Sequence, residues 1–124
     1  MREIKFRAQD IASNKWLYGD LRHHKDDVCI FEQGGTNGEQ VKPNTVGQFI
    51  GLLDKEGREI YEGDIVTNGV YNYQVSYETS HTAAFVCKYK GRIAGCLGQL
   101  YAFESQYLTV IGNIHDTPEL LNTK

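Results

Sequence analysis

Ile4, Phe6 and Ala8 alternate with Lys5, Arg7 and Gln9. An extended chain would therefore carry its apolar groups on one face and its polar groups on the other, the period-two pattern of a half-buried strand. A strand is expected over residues 3–9. Ala12-Ser13-Asn14-Lys15 then marks a turn, and Trp16-Leu17-Tyr18 returns as a second strand, which makes a hairpin. Val28-Cys29-Ile30-Phe31 is a short apolar run between Lys25-Asp26-Asp27 and Gly34-Gly35 and reads as a further strand. The glycines, Thr and Asn between Gln33 and Glu39 predict an exposed loop. Val41 to Ile50, which contains Pro43, reads as extended rather than helical.

Farther along, Asp54-Lys55-Glu56-Gly57 has the chemistry of a chain reversal and offers the best boundary in the chain. Tyr61-Glu62-Gly63-Asp64-Ile65-Val66 enters a strand, and Val70 to Tyr77 sets Tyr71, Tyr73, Val75 and Tyr77 on one face. Ala84 to Tyr89 directs Phe85, Cys87 and Tyr89 inward and Lys88 and Lys90 outward, with a turn at Lys90-Gly91. Tyr101–Phe103 and Leu108–Ile114 continue the meander. Only Pro118-Glu119-Leu120-Leu121 reads as helical, with Asp116 or Thr117 as N-cap and Pro118 at the first helical position. Short strands, glycine turns and the lack of helical periodicity predict a mainly β, mostly antiparallel protein. The expected organisation is a β-hairpin-containing N-terminal subdomain, residues 1–57, and a small SH3-like β-barrel subdomain, residues 58–124. About five short strands are what such a barrel requires. A short C-terminal helical turn completes what should be one compact unit.

Composition narrows the function classes. A chain of 124 residues and 14.1 kDa accommodates one domain or two small subdomains, and excludes a cofactor domain joined to a substrate domain. With 40% apolar and 23% charged residues it is globular rather than disordered. Thirteen basic residues against 16 acidic ones, net −3, exclude an electrostatic grip on nucleic acid by the whole surface but leave room for a local basic stripe. The three cysteines, Cys29, Cys87 and Cys96, form no CxxC and match no zinc knuckle, so reduced thiols in a cytosolic protein are expected. The opening residues have no hydrophobic segment of a signal peptide, and no apolar run approaches the roughly 18 residues of a membrane span.

Few residues carry candidate chemistry. Glu62 and Asp64 would share a strand face and could pair for acid/base work or hold a cation. Against that, Gly63 permits a bend, and Asp64 in a turn would bond nearby backbone amides. The adjacent His23 and His24 read as part of a solvated polar loop, since strand neighbours point to opposite faces. Cys87, on an apolar strand face, reads as a small core hydrophobe, and Cys96, between glycines, as the most exposed thiol. Gly91 to Gly98 has no phosphate-loop spacing. Lys88, Lys90 and Arg92 recur at every second residue and would form a basic stripe, for which Tyr71, Tyr73 and Tyr77 could supply stacking surfaces. The plainer reading is a solvated face whose lysines resist edge-to-edge aggregation. No catalytic set, metal site or cofactor site converges, and no enzymatic activity is expected.

Three segments together carry a resemblance. Arg2-Glu3-Ile4-Lys5-Phe6-Arg7-Ala8-Gln9-Asp10, Phe49 to Val66 with its Ile60-Tyr61-Glu62-Gly63-Asp64-Ile65-Val66 block, and Val110-Ile111-Gly112-Asn113-Ile114-His115-Asp116-Thr117-Pro118-Glu119-Leu120-Leu121 resemble the YopX family of phage and prophage proteins. Gln9 stands where the family's opening has Trp. The resemblance implies a predominantly β protein of the bacterial cytoplasm under phage control, capable of self-association, with no catalytic activity to transfer. It implies structural roles for Tyr61, Gly63, Asp64, Gly112 and Asn113. The expectation is thus a non-enzymatic accessory protein, homo-oligomeric or bound to another protein, with its binding residues around Lys88 and Lys90. The alternative is a single-stranded nucleic-acid module using Lys88, Lys90 and Arg92 with Tyr71 and Tyr73. Metal-assisted hydrolysis at Glu62 and Asp64 ranks third.

Overall fold

The computed structural model describes residues 4–32, 38–79, 84–97 and 104–122. By its internal contacts the chain divides into two compact units, residues 1–49 and 50–124. The Gly57 reversal lies inside the second. Among the described residues every named element is a strand or a short 3-10 turn, so the mainly β expectation is met by two antiparallel sheets.

In the first unit, β1 (Phe6–Gln9), β2 (Trp16–His24), β3 (Asp27–Phe31), β4 (Gly38–Gln40) and the start of β5 (Gly47–Leu53) lie in the order β4-β3-β2-β1-β5. The expected hairpin is β1–β2, registered Phe6 to Gly19 and Gln9 to Trp16. Ala8, Val28, Ile30 and Val41 form the core, with Phe6, Leu17, Leu21 and Val46 packed around it. Both edges of β1 are paired, with β2 and β5, and the outward position assigned to Arg7 is corrected: it is 7% exposed. Its guanidinium stacks 4.7 Å from the centre of the Trp16 ring, a cation–π contact that offsets part of the desolvation. β2 runs through His24, so His23 and His24 belong to a strand and not to a polar loop. Of the loop expected between Gln33 and Glu39, residues 33–37 lie outside the described part. Gly38–Gln40 forms a short, exposed strand beside β3.

In the second unit, the far half of β5 neighbours β6 (Glu59–Tyr61). β7 (Asp64–Thr67), β8 (Asn72–Glu78), β9 (Ala84–Tyr89), β10 (Arg92–Cys96) and β11 (Thr109–Asn113) form a sheet ordered β10-β9-β8-β7-β11. Val75 of β8 is registered with Cys87 of β9, and with Tyr73 and Phe85 they enter a core shared with Ile50, Ile60, Val66, Leu97 and Leu108. The alternation read from β8 is therefore correct at its centre, whereas Tyr71 and Tyr77 at its ends are 45% and 42% exposed.

The SH3-like closure is not found among the described strands: β10 and β11 stand at opposite ends of an open sheet. The reason lies at β11, whose free side is engaged by the turn between β5 and β6. The Val110 N–H donates to the Asp54 carboxylate at 2.9 Å, and the Lys55 N–H to the Leu108 carbonyl at 2.7 Å. Residues 101–103, expected as a strand, lie outside the described part. The C-terminal helical turn is a 3-10 turn over Pro118–Asn122, held to β8 where the Asn72 side-chain amide donates to the Leu120 carbonyl at 2.9 Å.

Candidate functional site

The residues expected to be structural converge on one junction. Between β6 and β7 the chain reverses through Tyr61-Glu62-Gly63-Asp64, and Gly63 takes φ +94°, a conformation that a side chain with a Cβ adopts only with strain. Its N–H donates to the Val75 carbonyl and its own carbonyl accepts the Ile114 N–H, both at 2.9 Å. Asp64, 1% exposed, turns back on the reversal and accepts the Tyr61 N–H at 2.7 Å. In the ladder between β7 and β11, Asp64 is registered with Asn113 and Ile65 with Gly112. A Cβ on Gly112 would collide with the Thr117 hydroxyl, and Asn113 Oδ1 accepts the His115 and Asp116 N–H groups at 2.9 Å. Thus two segments about fifty residues apart in sequence, 60–66 and 110–117, form one hydrogen-bonded joint. Asp64 acts as a buried acceptor there, apart from the half-buried Glu62, and among the described residues no three His, Cys, Asp or Glu side chains are grouped to hold a metal.

Asp54 is the residue that the sequence did not disclose. It is 5% exposed, and its carboxylate accepts the N–H groups of Glu56 (2.9 Å), Arg58 (2.8 Å) and Val110 (2.9 Å), with the Arg58 guanidinium at 3.4 Å. Burial pushes its carboxyl up, but the three amide donors and the Arg58 charge outweigh that and hold it below the ordinary 3.8.

The basic stripe does not survive the hairpin between β9 and β10. Residues directly opposite in an antiparallel pair share a face. Lys88 is registered with Gln74 and Ile93, and Arg92 with Tyr89, so Lys88 and Arg92 stand on opposite faces of the sheet. On Arg92's face Tyr71, Tyr73 and Tyr89 form an edge-to-face cluster with ring centres 5.2 to 6.5 Å apart. Tyr73 is buried in it, and burial holds its phenol above the ordinary 10.0. Tyr71 is exposed, presented by a turn in which Asn68 Oδ1 accepts the Val70 and Tyr71 N–H groups at 2.9 Å.

On the other face, Lys88 and Lys90 meet at a cavity of about 320 Å³, lined also by Gln74, Gly91, Leu121 and Asn122. Lys88 Nζ lies 3.6 Å from Glu78 Oε2, and Lys90 Nζ lies 5.7 Å from the centre of the Tyr89 ring. Lys90 and Gly91 both take positive φ, +50° and +82°, the pair of left-handed residues that a tight two-residue hairpin turn requires. The expected binding residues thus divide into Lys88 with Lys90 at the cavity, and Arg92 with Tyr71 and Tyr73 on the opposite face.

Among the candidate nucleophiles, Cys87 is fully buried and burial pushes its thiol up to about 12, which leaves no thiolate at neutral pH. Cys29 and Cys96 are both half-buried. Cys29 lines a second cavity, of about 390 Å³, in the first unit with Arg22, His23, Asp27 and Phe31. His81 lies outside the described residues.

Comparison with known proteins agrees with this architecture. A family model described as YopX protein matches residues 5–122. A solved structure, protein EF1440 from Enterococcus faecalis, superposes with a TM-score of 0.60 at 22% identity, covering 98% of this chain and 99% of that one. A search of curated proteins gives no significant match.

Proposed function

The chain belongs to the YopX family, and from that premise we propose that it is a non-enzymatic, self-assembling binding module serving a phage or prophage in the bacterial cytoplasm. The observation that supports this reading is the end of the second sheet where the β7–β8 and β9–β10 turns lie. Val70 and Tyr71 at the first turn are 70% and 45% exposed, and Ile93, just past the second and on the opposite face of the sheet, is 44% exposed, so both faces of this end present large apolar groups. Exposed apolar groups favour association, because joining them to a partner removes their surface from water. The partner is a second copy of the chain. Size-exclusion chromatography with light scattering tests this: the wild type should be at least dimeric, and Val70→Asp with Ile93→Asp should be monomeric and folded. A wild type that stays monomeric at about 100 μM, well above the dissociation constant of a specific interface, overturns the reading.

A second reading rests on Arg92 sharing a face with Tyr71 and Tyr89. That face offers a stacking surface beside a cation, the elements of single-strand nucleic-acid binding. Anisotropy of a labelled single strand at low salt should then show binding that weakens in Arg92→Ala, with the salt slope reduced by about 0.7 for one lost phosphate contact. No binding at low salt removes this reading.

A further inference from the structure

The cavity on the opposite face has features that neither reading uses. Its lining includes Lys88 and Lys90, whose ammonium groups rest against Glu78 and over the Tyr89 ring, the amide residues Gln74 and Asn122, and the apolar Leu121, with no Asp or Glu among the described residues of the lining. In a chain of net charge −3, such a concentration of cations marks a place for an anion. The cations are also placed by structure. Gln74 is registered with Lys88 on one side and Ile65 on the other, which seats both groups in the middle of the sheet. The Asn72–Leu120 hydrogen bond brings the 118–122 segment over that face and sets Leu121 and Asn122 opposite the lysines. Lys90 occupies a left-handed position, φ +50°, where Gly, Asn or Asp is favoured and a long side chain is strained. Strain of this kind persists where the displayed group is put to use.

We propose that the cavity formed by Gln74, Lys88, Lys90, Leu121 and Asn122 is a binding site for a small phosphomonoester. Two ammonium groups match a dianion better than a monoanionic carboxylate, and the two amides supply donors for the remaining phosphate oxygens. A cavity of about 320 Å³ lies at the small end of ligand sites, and admits a phosphate with a sugar-sized group against Leu121. Glu78 competes for Lys88 from outside the cavity at 3.6 Å, so the ligand must draw Lys88 away from it.

Isothermal titration of the full chain with ribose 5-phosphate, inorganic phosphate, sulfate and ribose tests the proposal. Ribose 5-phosphate should bind one to one, more tightly than phosphate or sulfate, and ribose should not bind. Lys88→Gln and Lys90→Gln should each weaken it by about tenfold, the loss of one charge-assisted contact. Glu78→Gln should tighten it, because it removes the competing carboxylate. Arg92→Gln, on the other face, should leave it unchanged. The Glu78 and Arg92 variants keep the test decisive should a lysine variant fail to fold. The proposal is overturned if ribose 5-phosphate binds no better than sulfate, if Arg92→Gln weakens it as much as the lysine variants do, or if Glu78→Gln weakens it.

Discussion

Replacing Asp54 by Ala removes one acceptor from three backbone N–H groups at once. The consequences differ by place. The Glu56 and Arg58 amides sit in an exposed turn where water can replace the carboxylate, so each loss is worth about 0.5–1 kcal/mol. The Val110 amide lies in β11 and finds no such substitute, and stranding it costs about 2 kcal/mol. The sum is about 3–4 kcal/mol. For a chain of 124 residues, with an unfolding entropy near 0.26 kcal/mol/K, this lowers the melting temperature by about 12–15 °C. Asp54→Asn retains one oxygen but turns an NH₂ group toward a donor, and should lose about 2 kcal/mol. The pH dependence supplies an independent check. The folded carboxyl is held below 3.8, so its contribution is fully present above the unfolded value and is lost as pH falls through the lower folded one. The gap between wild type and Asp54→Asn should stay constant from pH 8 to about pH 5 and close below about pH 4. Thermal melts followed by circular dichroism read both effects. An Asp54→Ala protein melting within two degrees of wild type at pH 7, or a gap to Asp54→Asn that persists at pH 2.5, would refute the reasoning.

Gly63→Val places a β-branched residue at φ +94° and should destabilise by more than about 1 kcal/mol. Asp64→Asn, which keeps an acceptor for the Tyr61 N–H, should cost less, and urea titration of both variants gives the order. In native protein at pH 8, a thiol reagent should modify Cys29 and Cys96 well before Cys87, whose thiol is held near 12. Equal rates at all three sites would contradict the buried assignment. Lys90→Gly relieves the left-handed position and should stabilise the fold by about 0.5–1 kcal/mol while weakening phosphomonoester binding by about tenfold, as Lys90→Gln does. A lower melting temperature would show that the Tyr89 contact outweighs the backbone strain.

What the sequence could disclose was local. Alternation located β1 and β8, and Gly63 flanked by acids announced a positive φ with Asp64 bonding backward, because turn chemistry acts over three or four residues. Asp54 was read as turn chemistry and nothing more, since the group that gives it weight, Val110, is 56 residues away in sequence. The stripe of Lys88, Lys90 and Arg92 was read as one face because spacing of two preserves a face only along a continuous strand. The two-residue turn at Lys90-Gly91 reverses the chain, and Arg92 lands opposite Tyr89. That the described strands form no closed barrel has a related reason: strand count sets what could close, whereas the partner at the free side of β11 decides what does. The cavity was illegible because Leu121 and Asn122 reach it only through the docked C-terminal turn.

The joint between residues 60–66 and 110–117 also sets an order of events. As the chain leaves the ribosome, β7 to β10 can pair by successive neighbouring turns, each closing a short loop. Gly63, Asp64 and Asp54 must wait for β11 before their bonds to Ile114, to the β11 ladder and to Val110 exist. Until then one side of β7 is an open template for any other extended chain. The interval before residues 109–114 have docked is therefore the one of greatest hazard for this protein. Pulse-labelled hydrogen exchange during refolding should find the amides of Val110 and Ile114 protected last.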